Sequence, residues 1–287
     1  MKRRRKKIRK ASRSRNNLKF WLLVFFVIGL LSYFVFIYSY HPKPKVVTGP
    51  PLPERDTIAP PLPEKKIAGK IAIVIDDLGQ DLEMSRLFLD LDKSLTISIL
   101  PGLPYSQQIA KEAKNKGHDI ILHLPMEPEG YPNINPGKGA LLSNMTRDEL
   151  LKLLREDISS VPHIKGINNH MGSKLTTDEA IMETIFEELK GRNYFFLDSR
   201  TDANSKAYQV AKRFGLKAGK RDVFLDNDRK ADEIKKMLSH LEDLAIKKGK
   251  AVAIGHPYSE TLAVLREGLP RLSSNGIKLV PLSEIVE

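Results

Sequence analysis

From Lys70 onward, short apolar runs alternate with amphipathic stretches, and this alternation limits the fold more than any other feature of the sequence. Strands are expected at 71–75, 95–100, 119–123, 166–168, 194–197, 216–218, 251–254 and 277–280. Between them, helices are expected at 82–91, 105–116, 147–159, 177–190, 205–213, 231–248 and 260–273. Thr146 precedes Glu149 by three residues, and Thr176 precedes Glu179 by the same spacing, so both pairs fit a capping box. Lys116-Gly117 and Lys190-Gly191 fit helix ends. Strand–helix alternation over this length calls for a parallel sheet covered by helices, either a doubly wound sheet or a (β/α) barrel. Seven or eight strands favour the barrel. The connection 124–145, rich in Pro, Gly and Asn, is too long for an ordinary loop and is expected to lie over the site face.

The chain carries a net charge of +12, but the excess is local. Residues 1–19 contain eleven Lys and Arg and no Asp or Glu, leaving 36 basic against 35 acidic residues in the remainder. A basic face for nucleic acid on the rest of the chain is therefore not expected. Residues 20–40 carry no charge, and as a helix they span roughly 30 Å, the thickness of the bilayer hydrocarbon. Trp21 at one end, Tyr38 and Tyr40 at the other, and the basic tail before them predict a single-pass anchor in the cell membrane. Its N-terminus would be cytoplasmic and everything after Tyr40 extracytoplasmic. A cleaved signal peptide would need a small-residue site that the bulky sequence around Tyr33–Tyr40 does not offer. Eight of the eighteen prolines fall within 41–66, and P-P-L-P-E occurs twice, at 50–54 and 60–64, so residues 41–67 read as an extended spacer. The globular part is 68–287. The absence of cysteine excludes thiolate ligands, thiol nucleophiles and disulfides.

Sites on parallel sheets form at the C-terminal ends of the strands, so the residues that follow each apolar run carry the information. Here they are Asp76-Asp77, His123, Asn168-Asn169-His170, Asp198 and His256. Each alone has an ordinary structural explanation, since Asp77 or Asp198 can cap a helix and a lone His is commonly a core residue. Five strand ends with Asp or His on one rim form a set. Two or three imidazoles with a carboxylate, and no thiolate, suit zinc or a similar divalent ion. A second carboxylate in Asp76-Asp77 can take a proton from water, and His256 on the opposite rim can protonate a leaving amine. His41, His118, His163 and His240 lie in positions that exclude them from this set.

The strings that carry these residues resemble a known family. I-A-I-V-I-D-D-L-G (71–79) is similar to the T-F-D-D-G opening motif of the polysaccharide deacetylases, and K-G-H-D-I-I-L-H (116–123) resembles their G-H-E-I-x-x-H strand. H-L-P-M-E-P (123–128), I-N-N-H-M-G-S (167–173), F-L-D-S-R-T (196–201) and A-I-G-H-P-Y (253–258) resemble the divergent branch. The resemblance covers 70–287. It implies a deacetylase-like barrel with Asp76 as base, Asp77 and His123 as metal ligands and His256 as acid. Two departures stand out. The family's second His, four residues after the first, is Glu127, and its arginine-proline motif is replaced by Asn168-Asn169-His170. The simplest repair is that His170 supplies the missing imidazole; the alternatives are that Glu127 is the ligand instead, or that it contacts substrate.

The resemblance thus implies a hydrolase that removes N- or O-acetyl groups from an envelope or cell-wall carbohydrate with a divalent metal, zinc by its ligand set. Asp198 and Arg200 would orient the acid or contact substrate, and Asn169 would contact substrate. The rival expectation is a catalytically silent module of the same fold that binds cell-wall glycan or an envelope partner.

Overall fold

The computed structural model describes residues 2–40 and 67–287. The proline-rich spacer, apart from Ile67, lies outside the described residues. The chain separates into two compact units, divided between Leu62 and Pro63. In the first, α1 (Lys2–Tyr40) is one continuous helix. Its segment Trp21–Tyr40 is long and apolar enough to cross a membrane, and none of it is buried. Trp21, Phe25, Phe34 and Tyr38 lie exposed on this segment.

The second unit contains nine strands and seven α-helices among the described residues. The order is β1 (Gly69–Leu78), α2 (Leu82–Leu89), β2 (Thr96–Ile99), α3 (Ser106–Lys116), β3 (Asp119–Met126), α4 (Arg147–Ser160), β4 (Gly166–Met171), α5 (Glu179–Leu189) and β5 (Phe195–Asp198). Then follow α6 (Ala207–Arg213), β6 (Ala218–Lys220), β7 (Val223–Phe224), α7 (Ala231–Lys248), β8 (Lys250–Gly255), α8 (Ser259–Ser274) and β9 (Ile277–Leu279). All pairings are parallel, in the order β6-β5-β4-β3-β2-β1-β8-β7, with β9 on the start of β1. The expected barrel is thus a curled, parallel half-barrel sheet. Its two end strands, β6 and β7, are consecutive in the chain, and only Arg221 and Asp222 link them. The chain itself spans the seam.

The helix boundaries follow the capping chemistry. Thr146 and Glu149 form a reciprocal capping box at α4, and Gly117 ends α3 in the left-handed conformation that glycine accepts without strain. The second expected box does not form. Thr176 is buried and donates to the Gly172 carbonyl within a 3-10 turn (Leu175–Thr177), and Asp178 caps α5 instead by accepting from Ile181 N. Strand β7 is a further difference, because two residues are too few for a period to be legible.

Alternation along the strands sorts two cores. Ile71, Ile73 and Ile75 of β1, Ile97 and Ile99 of β2, Leu122 and Leu124 of β3, and Phe196 of β5 pack outward against Phe88, Ile109, Leu154 and Phe186 of the helices. The opposite residues, Ala72, Val74, Ile121, Phe195, Leu197, Val252 and Ile254, fill the inside of the curl together with Val280, Leu282, Ile285 and Val286. This C-terminal segment plugs the end of the curl where the strands begin. Leu282 N donates to Thr96 Oγ1, Ser283 N to Asp119 Oδ2, and Ala218 N to Glu287 O. His118 sits at the same end, buried, with its ring nitrogens on the carbonyls of Leu95 and Leu89. It is a structural histidine.

Because Leu282 is fully buried in the plug, Leu282→Ala should cost about 2–5 kcal/mol. The half-exposed Leu87→Ala should stay within about 0.5 kcal/mol of wild type. Urea denaturation curves check both values, and equal midpoints for the two variants would contradict the plug.

Candidate metal centre

Strand alternation also decides which polar groups meet at the other end of the curl. Even-numbered residues of β1 and β8 and odd-numbered residues of β3 and β5 face inward. Continued to the strand ends, that parity turns Asp76, His123, Ser199 and His256 into the interior. On β4 it turns in Asn168 and His170, and on β2 it turns in Ser98.

Asp77 has the wrong parity and reaches the interior by a different route. The β1–β2 register shifts between Ile75 and Leu78, and Asp77 has φ +57°, a left-handed conformation that Asp tolerates better than most residues. The irregularity turns two successive carboxylates toward the same space and returns Leu78 to the outer core.

Three atoms then converge. Asp77 Oδ1 lies 3.1 Å from His123 Nε2 and 3.0 Å from His170 Nδ1, and the two imidazole nitrogens are 3.1 Å apart. Asn168 fixes their chemistry from behind. Its Oδ1 accepts from Ser98 Oγ at 2.8 Å and faces His123 Nδ1 at 2.9 Å, while its Nδ2 donates to both oxygens of Asp76 at 2.9 and 3.1 Å. An acceptor at Nδ1 assigns the proton of neutral His123 to that nitrogen and leaves a lone pair at Nε2, facing Asp77. Asp77 Oδ1 is buried and accepts no hydrogen bond. A carboxylate oxygen and an imidazole lone pair 3.1 Å apart repel each other unless a cation lies among them. When both rings are protonated instead, they become donors: burial opposes the charge on Asp77, yet the His123 and His170 imidazoliums outweigh it and hold its carboxyl well below the usual carboxylate range. Burial likewise opposes charging His123, and Asp76, Asp77 and Asn168 push it up. The cluster calls for positive charge. Asp77, His123 and His170 are a carboxylate–imidazole set with the donor chemistry of a divalent-metal site.

A second pair follows β7 and β8, next to the end of β1. His256 Nδ1 is 2.8 Å from Asp226 Oδ1, and Asp226 Oδ2 accepts from His256 N at 2.6 Å and Thr261 Oγ1 at 2.7 Å. Phe224 stacks on the His256 ring at 5.8 Å between centroids. The Nδ1 contact leaves Nε2 as the nitrogen available for proton transfer. Burial disfavours the imidazolium, but Asp226, then Asp76 and Asp77, more than offset it and raise the pKa to about 9.

A family model described as divergent polysaccharide deacetylase matches residues 73–286. The chain belongs to this divergent polysaccharide deacetylase family. The uncharacterized protein YibQ of Escherichia coli K12 is 36% identical over 220 residues, which cover 77% of this chain and 68% of that one. An uncharacterized protein of Haemophilus influenzae is 34% identical over 216 residues, covering 75% and 76%. The crystal structure of an uncharacterized protein from Agrobacterium tumefaciens C58 has a TM-score of 0.73 at 26% identity, covering 76% of this chain and 89% of that one.

Other residues singled out from the family motifs serve different partners. Glu127 pairs with Lys174 Nζ at 2.7 Å and accepts from Ser143 N at 2.5 Å, so it ties the 127–146 connection to the segment after β4. It is not among the three residues whose donor atoms converge. Asp198 has outward parity and is fully buried, and its oxygens accept from Arg200 N, Ser205 Oγ and Tyr208 N. It organises its own loop, and the carboxylate on His256 belongs to Asp226. Asn169 also faces away and bonds Ser199 N and Met171 O. The Arg200 guanidinium donates to Ala203 O.

Asn168 and Asp226 escaped the motif reading. Asn168 stood in a quoted motif without a role. Asp226 follows β7 in V-F-L-D, the same apolar-then-Asp pattern as F-F-L-D at 195–198, and that echo was the available signal.

In the metal-free chain, the His256 ring should titrate near pH 9, and Asp226→Asn should move its midpoint toward ~6.5. Because the folded value is raised, the stabilisation is complete below pH ~6.5 and is lost as pH rises through about 9. Imidazole NMR shifts against pH measure this, and an unshifted wild-type midpoint near 6.5 would remove the ion pair.

Proposed function

We propose that this protein is a metal-dependent hydrolase that removes acetyl groups from an envelope or cell-wall carbohydrate. The convergence of Asp77, His123 and His170 on one point, with Asp77 Oδ1 buried and unbonded, carries this reading. These three residues would hold the divalent ion, and zinc suits their donor set. Once bound, such an ion polarises a carbonyl oxygen and makes water more acidic.

The chain's own groups divide the remaining work. Asp76 is the general base. Its carboxylate is held by the Asn168 carboxamide and lies 3.6 Å from His123 Nε2, so it flanks the ion site without being one of the three ligands. His256 is the general acid. Asp226 keeps its ring protonated and oriented, and Nε2 delivers the proton to the departing amine or alcohol. The two groups stand at the ends of neighbouring strands, β1 and β8, so the base and the acid can both reach one scissile bond.

The sequence organisation extends the proposal to the cell. We assign 1–19 as a cytoplasmic tail, 20–40 as a membrane anchor, 41–67 as a spacer and 68–287 as an extracytoplasmic catalytic domain. The exposed apolar helix and the basic residues before it support the assignment. Protease added outside intact spheroplasts should digest the domain and spare the tail, and a protected domain would reverse the orientation.

One observation favours a second reading, a silent module that binds glycan or an envelope partner. Where the family has its second metal-binding His this chain has Glu127, which is bound to Lys174 and is not among the three converging residues. Acetate release from acetylated glycan fragments separates the two. The hydrolase should release acetate and lose about 10²–10⁴-fold in rate on Asp76→Asn, with its metal retained. His123→Ala and His170→Ala should each lose the metal by elemental analysis. Glycan retention without acetate release, indifferent to Asp76→Asn, would instead establish the binding module.

A further inference from the structure

Arg221 is half-buried in the two-residue link across the β6–β7 seam, between the two halves of the site. Its Nε donates to Ser199 O at 2.7 Å and its Nη2 to Arg200 O at 2.8 Å, while its backbone N donates to Asp198 O at 3.0 Å. These side-chain bonds go to backbone carbonyls and not to a carboxylate. The carbonyls belong to a turn in which Arg200 itself is left-handed, with φ +53°, a conformation that needs outside support in a residue with a long side chain. From that turn the contacts run inward. Ser199 N donates to Asn169 Oδ1, and Ser199 Oγ accepts from Asn168 Nδ2 at 3.2 Å. Asn168 in turn holds Asp76 and His123. On its other side the Arg221 guanidinium lies 3.7 Å from the centre of the Phe224 ring, and Phe224 stacks on His256.

We infer that Arg221 is a positioning residue for the ion site: by clamping the 199–200 turn it sets Asn168, and through Asn168 the ligand His123, against Asp77. This inference rests on the metal reading above and adds to it a residue that touches none of the three ligands. Geometry and charge predict opposite signs for its removal. A nearby positive charge opposes cation binding, so losing it should tighten the site if charge were its only contribution. Losing a support behind a ligand should weaken the site, typically about 10–100-fold.

The test measures zinc affinity of the intact chain in detergent micelles, by competition with a chromophoric chelator, and checks the fold by thermal melting. Arg221→Gln should weaken zinc binding at least about tenfold. Arg221→Lys should also weaken it, because an ammonium keeps the charge but cannot grip two carbonyls with a planar fork. Ser199→Ala removes the Asn168 acceptor while leaving the carbonyl for Arg221. It should weaken binding in the same direction and serves if the arginine variants melt early. Unchanged or tighter binding in Arg221→Gln, or wild-type affinity in Arg221→Lys, would overturn the inference and leave the metal reading standing. A wild-type chain that binds no zinc would retire the metal reading. Hydrogen exchange in the metal-free chain then decides the role of Arg221. Faster exchange across Gly166–Met171 in Arg221→Gln sustains the tie to β4, and unchanged exchange there ends it.

Discussion

A strand in a curled parallel sheet turns every second side chain toward the interior, and at the open end of this curl that period selects the polar groups that meet. Asp76, His123, Asn168, His170 and His256 share the inward parity of the apolar residues below them. Asn169 and Asp198 are adjacent in sequence to inward residues, yet they serve loops because they are one residue out of phase. Asp77 is the exception that completes the cluster with His123 and His170. The register shift after Ile75 and the left-handed backbone at Asp77 bring a second carboxylate inward where a regular strand would supply one. The bulge is local, and the outer core resumes at Leu78.

Asn168 converts that set of inward groups into an ordered site. Its carboxamide oxygen takes hydrogens from Ser98 and His123, and its amide hydrogens reach Asp76 and Ser199, so one neutral side chain satisfies both an imidazole and a carboxylate. With no charge of its own, it does not compete with a cation. It leaves His123 with its lone pair directed at Asp77 and holds Asp76 as a separate carboxylate. Buried acceptors arranged this way are unfavourable alone, because unpaired polar groups in a low-dielectric interior lose their water without compensation. The arrangement is consistent with a site built around a cation.

The surroundings of His256 are organised by a different logic. Asp226 binds both the ring and the backbone of His256, and Thr261 at the start of α8 completes its bonds. The outcome is an imidazole whose pKa is raised, beside a cluster rich in acceptors. The long 127–146 connection reaches this end of the curl through Glu127, which joins β3, Ser143 and Lys174. That position has thus become a loop anchor, and His170, presented by the inward parity of β4, stands with His123 and Asp77 instead.

The sequence by itself determined the parallel architecture, the exposed apolar helix and most of the strand ends that carry the site. Those depend on local periodicity and on which residue follows an apolar run, both written in consecutive residues. Asp77 and His123 could be named from motifs that match the family's, and His170 because it follows an apolar run in a chain that lacks the family's second His. Tertiary structure decided the rest. No local pattern distinguishes Asp198, which braces a turn, from Asp226, which holds His256, because both follow an apolar pair and a leucine. The difference lies in which face of the sheet each occupies and what β8 places opposite it. The same holds for Thr176 and Asp178, where burial of the threonine hydroxyl handed the cap to its neighbour. Periodicity states what a residue can face. Long-range packing between strands tens of residues apart fixes what is there to be faced.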